Sequence, residues 1–272
     1  MPVPWLNFHL QNNVIQKYRK IISVSHRGAS LDAPENTLAG FKIALSENAE
    51  IIELDLHLAH DGSIMVIHDS NTKRTTGTDH EVKSLNLSQL KELNAGILFG
   101  DEFKDEKIPT LEEVLKLVDG KCKLLVELKW PRSGVYSGFV QKVLALIKEH
   151  KAAEWVIIQS FERTYLKEAL RNVMNVECHQ LVYGWSRIFP IYFDHKIRFG
   201  RFRHLEGIKS FTIYYPYLSR KFVAAMHRKN IKVFVFTLNE SEKIAKAVNL
   251  GADGIISDDH KLATELMEAV SV

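Results

Sequence analysis

The sequence predicts a closed parallel α/β barrel, and three observations predict it. Short β-rich runs alternate with helix-period runs along the chain, the β-rich runs number eight, and 272 residues suit one such barrel as well as two smaller domains. A doubly wound open sheet is the competitor, but no G-x-G-x-x-G follows the first run and eight strands favour closure. The strands are expected at Ile21–Ser25, Ile51–Leu58, Lys123–Lys129, Trp155–Phe161, Glu177–Tyr183, Phe211–Tyr215, Lys232–Leu238 and Gly254–Ser257, each bounded by turn or cap residues. Between them, Leu111, Val114, Leu115 and Val118 recur at helical spacing after Pro109 and a capping box from Thr110 to Glu113. Asn239 is expected to cap a further helix that runs through Ile244, Ala247 and Val248 to Gly251. Residues 69–108 break the alternation, with turn and polar residues and one short helical signal near Ser88–Leu93. A stretch that long reads as an insertion on the functional rim of a single domain, 1–272.

Composition narrows the function classes. Hydrophobic residues at 46% and charged residues at 25% describe a globular chain with a sizeable core, too apolar for disorder. With 36 basic against 33 acidic residues, the +3 charge is too balanced for general nucleic-acid binding. Cys122 and Cys178 show no metal-type or disulfide-scaffold spacing. The first twenty residues carry no secretory pattern and no apolar run approaches a membrane span, so a cytoplasmic protein is expected.

In a parallel barrel the reacting groups project from the C-terminal ends of strands. Those ends carry His26-Arg27-Gly28 on the first strand, Glu53 and Asp55 on the second, and Glu127 and Lys129 on the third. Alternation sets Glu53 with Asp55, and Glu127 with Lys129, on common faces. Buried charges are paired or bind metal. An ion-pair network with Arg27 and Lys129 would account for any one carboxylate, whereas the three together favour a hard divalent cation, Mg²⁺, Ca²⁺ or Mn²⁺. Asp61-Gly62 signals a hairpin. A two-residue turn there sets Asp55 opposite His68 and brings that imidazole to the carboxylates. A three-residue loop, His60 to Gly62, would set Ile67 opposite Asp55 and turn His68 away. His57, His60, His80, His150 and His227 read as structural, whereas His26 and His68 suit a general acid and base across one scissile bond.

Taken in order, His26-Arg27-Gly28, Pro34-Glu35-Asn36-Thr37, Glu53-Leu54-Asp55, Asp61-Gly62, His68-Asp69 and Arg74-Thr75-Thr76-Gly77 closely resemble the glycerophosphodiester phosphodiesterase family. The resemblance continues through Ile108-Pro109-Thr110-Leu111-Glu112-Glu113, Val126-Glu127-Leu128-Lys129, Gln159-Ser160-Phe161 and the run from Gly251 to Asp258, covering roughly 21–265. It implies a TIM (β/α)8 barrel with a small insertion after the second strand, and hydrolysis of glycerophosphodiesters to sn-glycerol 3-phosphate and an alcohol, usually with a divalent metal. By that resemblance His26 and His68 match the catalytic histidines, Glu53, Asp55 and Glu127 the metal ligands, and Arg27 and Lys129 the phosphate-binding cations. Glu35 matches an acidic residue either linked to the metal or one step removed from it. Ala59, Phe236 and the run Asp258-Asp259-His260 depart from the family's usual Thr, Trp and Pro, which bears on substrate fit and rim shape.

Two alternatives stand beside that reading: a lysophospholipase D-like hydrolase of acylated substrates, and a non-catalytic lipid- or metabolite-binding barrel. Residues 186–204 bear on the first. They hold Arg187, Lys196, Arg198, Arg201 and Arg203 against Asp194, with Phe189, Tyr192, Phe193, Phe199 and Phe202 interleaved. Such a stretch suits peripheral contact with an anionic membrane surface, or else an ordinary solvated loop and helix.

Overall fold

The computed structural model describes residues 20–132, 134–183 and 204–271. Among them nine strands run β1 (Ile22–Ser25), β2 (Ile51–Leu58), β3 (Ile64–Val66), β4 (Lys123–Leu128), β5 (Val156–Ser160), β6 (Glu177–Val182), β7 (Ser210–Tyr214), β8 (Lys232–Phe236) and β9 (Gly254–Ser257). All but β3 are parallel, and the eight close into a barrel because β1 pairs with both β9 and β2. Every expected strand is present, with ends shifted by a residue or two where pairing stops. The helices are α1 (Leu38–Ser46), α2 (Lys73–Thr76), α3 (Leu87–Glu92), α4 (Leu111–Val118), α5 (Phe139–Glu149), α6 (Arg163–Ala169), α7 (Arg220–His227), α8 (Ser241–Leu250) and α9 (His260–Ser271).

Side-chain parity divides the core into two layers. Val24, Ile51, Leu125, Ile157, Phe234 and Ile256 fill the barrel interior. Their neighbours in sequence, such as Ile52, Leu54, Leu124 and Val126, face outward against Phe41, Val143 and Phe222 on the helices. The same parity turns Glu53, Asp55 and His57 inward with Ile51, and Glu127 inward with Leu125. The expected capping box is formed: Thr110 accepts the Glu113 N–H, Glu113 accepts the Thr110 N–H, and Leu111, Val114, Leu115 and Val118 are buried.

Two local expectations are corrected. The N-cap position of α8 falls on Glu240, whose side chain makes no cap hydrogen bond, and not on Asn239, whose amide is engaged across the barrel mouth. Its Nδ2 donates to Asp258 Oδ2 at 2.7 Å and its Oδ1 accepts the Asp258 N–H at 3.0 Å. The hairpin register is also the other one. Leu56 pairs with Val66, His57 with Met65 and Leu58 with Ile64, and the Ile67 N–H donates to the Asp55 carbonyl at 2.9 Å. The loop therefore has three residues, His60 to Gly62, and is closed by the Asp61 carboxylate, which accepts the N–H groups of Ser63 and Leu87. That second contact ties the turn to the start of α3, a long-range demand that the dipeptide Asp-Gly does not reveal.

Between β3 and α4 the chain forms α2, α3 and a small separate core in which Met65, Ile67, Val82, Leu90 and Ile108 pack together. Cys122 and Cys178 are free, and burial pushes their thiols up to about 11 and about 12, which leaves no reactive thiolate at neutral pH. Among the described residues no helix is long and apolar enough to cross a membrane. Of the basic, aromatic stretch 186–204, all but His204 lies outside the described residues.

Candidate active site

The first site element is the turn that follows β1. Arg27 and Gly28 both take positive φ, 57° and 85°. At Gly28 a Cβ would come within 2.9 Å of the Gly40 carbonyl carbon, so only glycine fits beneath α1. This turn aims the Arg27 N–H at Glu53 Oε2, 3.1 Å away. It also sends the guanidinium back over β2, with Nε 3.2 Å from Asp55 Oδ2 and Nη1 3.0 Å from Glu35 Oε1.

Glu53, Asp55 and Glu127 present carboxylate oxygens that lie within 4.8 Å of one another, and all three are buried. Lys129 Nζ stands 2.6 Å from Glu127 Oε1 and 3.0 Å from Asp55 Oδ1. Asn36, itself at φ 57°, brackets Asp55: its Nδ2 donates to Oδ2 at 2.9 Å and its Oδ1 accepts the Asp55 N–H at 3.2 Å. Gln159 Nε2 reaches Glu53 Oε1 at 3.4 Å.

Three carboxylates share two cations here, and the imbalance falls on Glu53. Burial, followed by the charges of Asp55 and Glu127, pushes the Glu53 carboxyl well above the usual carboxylate range. Burial alone would raise Asp55 too, but Lys129 and Arg27 outweigh it and hold Asp55 far below its ordinary value. The donor set fits a hard divalent cation on two counts. It consists of oxygen atoms only, and Glu127 Oε1 is a buried atom with no well-aligned hydrogen bond, its Lys129 contact being an ion pair.

The two histidines flank this cluster, and each is backed by its own carboxylate. His26 Nδ1 lies 2.6 Å from Asp258 Oδ1, and His68 Nδ1 lies 2.6 Å from Asp69 Oδ1. Burial would raise Asp258, but the His26 and Asn239 contacts bring it down to about 2, so the carboxylate is ionised and accepts. Asp69 is held well below the carboxylate range by His68, against burial and with help from Arg74. In both pairs Nδ1 therefore carries the proton and Nε2 is the free nitrogen. His26 Nε2 stands 3.9 Å from Glu53 Oε2.

Glu35 lies outside the three-carboxylate group. It bridges Arg27 to Arg74, whose Nη1 and Nη2 sit 2.6 and 2.8 Å from its oxygens while Arg74 Nε reaches Asp69 at 2.6 Å. A continuous chain of charge thus links His68 through Asp69, Arg74, Glu35 and Arg27 to Asp55.

His26, Arg27, His68, Glu127 and Lys129 line one mouth cavity of about 650 Å³. Its other wall is aromatic, formed by Trp130, Phe161, Tyr183 and Phe236 at the ends of β4, β5, β6 and β8. Phe161 stacks on Tyr183 with centroids 5.1 Å apart, and Phe236 meets both edge-on at 6.1 and 5.6 Å. Rings packed this closely make a continuous apolar slab.

All eight residues singled out in the sequence meet at this mouth. Asp69, Arg74, Asp258, Asn36 and Gln159 belong to the matching motifs, yet nothing in their spacing assigns them a role. His57 reads as structural by sequence, but faces the barrel interior at 2% exposure and touches His68. Burial pushes its imidazole down to about 4.

A parallel barrel with acidic residues, fixed cations and two carboxylate-backed imidazoles at its C-terminal mouth is of the kind that carries out acid–base chemistry on an anionic substrate. Comparison with known proteins makes the class definite. The family model described as "Glycerophosphoryl diester phosphodiesterase family" matches residues 26–262. A glycerophosphodiester phosphodiesterase of Caldanaerobacter subterraneus subsp. tengcongensis is 34% identical over 251 residues, spanning 91% of this chain and 98% of the relative. Among solved structures, an Oleispira antarctica phosphodiesterase in complex with the product sn-glycerol-3-phosphate superposes with a TM-score of 0.79 at 26% identity, covering 91% of this chain and 96% of that one. A Silicibacter pomeroyi protein described as a glycerophosphoryl diester phosphodiesterase shares the fold, with a TM-score of 0.80 at 22% identity over 94% of this chain and 97% of that one. The chain belongs to the glycerophosphoryl diester phosphodiesterase family and is a phosphoric diester hydrolase.

Proposed function

We propose that this protein hydrolyses glycerophosphodiesters to sn-glycerol 3-phosphate and an alcohol, with His26 and His68 as the proton-transferring pair and a divalent cation held by Glu53, Asp55 and Glu127. The observation that carries the reading is the pairing of each imidazole with its own carboxylate at 2.6 Å beside a buried acidic cluster. Family membership and the product-bound relative support the substrate class.

Cleavage of a phosphodiester requires neutralised non-bridging oxygens, an aligned nucleophile and a proton for the leaving oxygen. Glu53, Asp55 and Glu127 would hold Mg²⁺, Ca²⁺ or Mn²⁺, which when bound would supply positive charge to those oxygens. Arg27 and Lys129, both anchored on Asp55, present further positive charge to the phosphate from fixed positions. One histidine Nε2 accepts the proton of the attacking hydroxyl: water gives glycerol 3-phosphate directly, whereas the adjacent glycerol 2-hydroxyl gives a cyclic phosphodiester that water opens in a second step, returning a proton to the 2-oxygen. The other imidazole, protonated, gives its Nε2 proton to the departing alkoxide. Asp258 and Asp69 stabilise whichever ring is charged and keep Nε2 directed at the substrate. Residues 1–272 act as one unit in this reading, with the insertion at about 69–108 supplying Asp69 and Arg74 to the rim.

A second reading, hydrolysis of acylated substrates in the manner of a lysophospholipase D, is favoured by the aromatic slab of Phe161, Tyr183 and Phe236. One panel separates the possibilities. Glycerophosphocholine, glycerophosphoethanolamine and lysophospholipids are each incubated with protein and Mg²⁺, Ca²⁺ or Mn²⁺, and the phosphate monoesters are followed. Glycerol 3-phosphate from the first two is expected. Product only from acylated substrates selects the second reading, and no product from any of them identifies a non-catalytic binding barrel.

A further inference from the structure

The sheet does not place His68. β3 ends at Val66, Ile67 occupies the position opposite Asp55 and is buried in the insertion's core, and His68 is the next residue along. Asp69 fixes the imidazole, but Asp69 itself belongs to the same irregular segment. Asp69 is tied in turn to Arg74 and through it to Glu35, but these are side-chain contacts and leave the His68 backbone to be fixed. The precision that proton transfer demands has to come from a contact with a rigid element.

That contact is made by His57. Its Nε2 lies 3.1 Å from the His68 carbonyl oxygen. A carbonyl only accepts, so Nε2 carries the hydrogen and Nδ1 is the acceptor. Nδ1 lies 2.9 Å from the Tyr136 hydroxyl, which donates to it, and the two rings meet edge to face at 5.9 Å. Tyr136 is itself anchored, for its N–H donates to the Tyr165 hydroxyl at 2.6 Å and its ring packs edge-on against Phe139 of α5 at 5.3 Å. His57 is 2% exposed and stands on the same inward face of β2 as Glu53 and Asp55.

We propose that His57 is a positioning residue for the hydrolysis, locking the backbone of His68 to the strand that carries Glu53 and Asp55, with Tyr136 holding the His57 ring in place. The proposal rests on the reading of His68 as one of the proton-transferring histidines. It gives a polar, fully buried histidine in the barrel interior a function that hydrophobic packing would not require. A leucine of similar size would fill the space but would take from the Tyr136 hydroxyl and the His68 carbonyl the partner that His57 gives them.

The test compares His57→Leu, His57→Gln, Tyr136→Phe and His68→Ala in the metal-loaded protein, and adds hydrogen exchange on the metal-free protein. His57→Leu is expected to lower kcat by about 10- to 100-fold with KM changed less than about twofold. His57→Gln, which retains an amide donor, recovers most of that loss, and Tyr136→Phe shows a smaller loss in the same direction. In the His68→Ala background, His57→Leu adds less than about twofold, because the residue it positions is gone. Amide exchange across residues 67–70 accelerates in His57→Leu and in Tyr136→Phe, with no change in the strands of the barrel. If His57→Leu does not fold, Tyr136→Phe decides, since it removes one hydroxyl from an otherwise intact contact. Wild-type kcat and wild-type exchange at 67–70 in Tyr136→Phe or His57→Leu overturn the proposal. Wild-type turnover in His68→Ala overturns instead the reading on which it rests.

Discussion

The two halves of the barrel mouth are made from equivalent strand ends and carry opposite chemistry. β1, β2 and β4 end in His26, Arg27, Asp55, Glu127 and Lys129, whereas β5, β6, β7 and β8 lead into Phe161, Tyr183, Tyr214 and Phe236. On the charged half the side chains meet polar partners at 2.6–3.4 Å, some close in sequence, as Lys129 with Glu127, and others from distant parts of the chain, as Asp258 with His26 and Gln159 with Glu53. On the aromatic half the rings are held mostly by one another at 5.1–6.1 Å, a looser constraint that tolerates substitution. Under the proposed function the charged half performs a reaction whose geometry cannot vary, and the aromatic half meets the part of the substrate that can.

The largest effects are therefore expected on the charged half. His26→Ala and His68→Ala each lower kcat by a factor of about 10² to 10⁴, measured as glycerol 3-phosphate release with metal present. Asp258→Asn leaves His26 in position but no longer favours the Nδ1-protonated tautomer, and lowers kcat by about 10²-fold or more. Turnover near wild type in either alanine variant would place the chemistry elsewhere at the mouth.

The same half predicts an unusual contrast in stability. Asp55 neutralises both Arg27 and Lys129, so Asp55→Asn leaves two buried cations short of a partner and costs about 3–5 kcal/mol. Glu53→Gln has the opposite sign in metal-free protein. Its carboxyl, raised by burial and by Asp55 and Glu127, keeps its proton at a pH where the unfolded chain has released one. Metal-free stability therefore falls as pH rises above the ordinary value of 4.5, and the amide removes that loss. Calorimetry at pH 7 with a chelator should show Glu53→Gln unfolding above wild type and Asp55→Asn well below it.

A smaller effect is expected on the aromatic half. Phe161→Ala removes the ring that contacts Trp130, Tyr183 and Phe236, and raises KM for acylated substrates by about tenfold more than KM for glycerophosphocholine. An equal rise for both would mean that the slab supports the fold without contacting the substrate's variable group. The smallest effect lies at the far end of the barrel. The His179 hydrogen bond, against burial, brings Glu177 down to about 2. Its stabilisation is present above the ordinary value of 4.5 and is lost as pH falls through about 2. Glu177→Gln should flatten the acid end of the stability curve and leave kcat unchanged.

The charged half was also the more legible in the sequence. Glu53, Asp55, Glu127 and Lys129 are found by strand parity, because a period of two in an apolar run makes an inward carboxylate conspicuous. His26 and Arg27 follow from their place at a strand end. His68 is a different case: the two-residue turn expected at Asp61-Gly62 brings it to the site by a pairing that does not exist, and the imidazole arrives instead through Asp69 and His57. Hairpin register depends on what the turn touches, here the Leu87 N–H, and that contact is invisible from Asp-Gly alone. Asn239 shows the same limit, since a good helix cap is used on Asp258, and only the closed barrel brings the two together. The aromatic slab is not legible as a unit: Phe236 stands out as a departure from the family's usual Trp and Phe161 ends a matching motif, but the rings lie at the ends of separate strands and only the closed barrel brings them to Tyr183.

The central claim is that the acidic cluster holds a divalent cation and that the two histidines act on a phosphodiester beside it. Phosphorus NMR of glycerophosphocholine incubated with exhaustively chelated protein, and then with added Mg²⁺, Ca²⁺ or Mn²⁺, tests it most directly. The account predicts no glycerol 3-phosphate before addition and steady release after it, in wild type but at most about 1% of that rate in His26→Ala and His68→Ala. Full release from the chelated protein, or from either histidine variant, would contradict it.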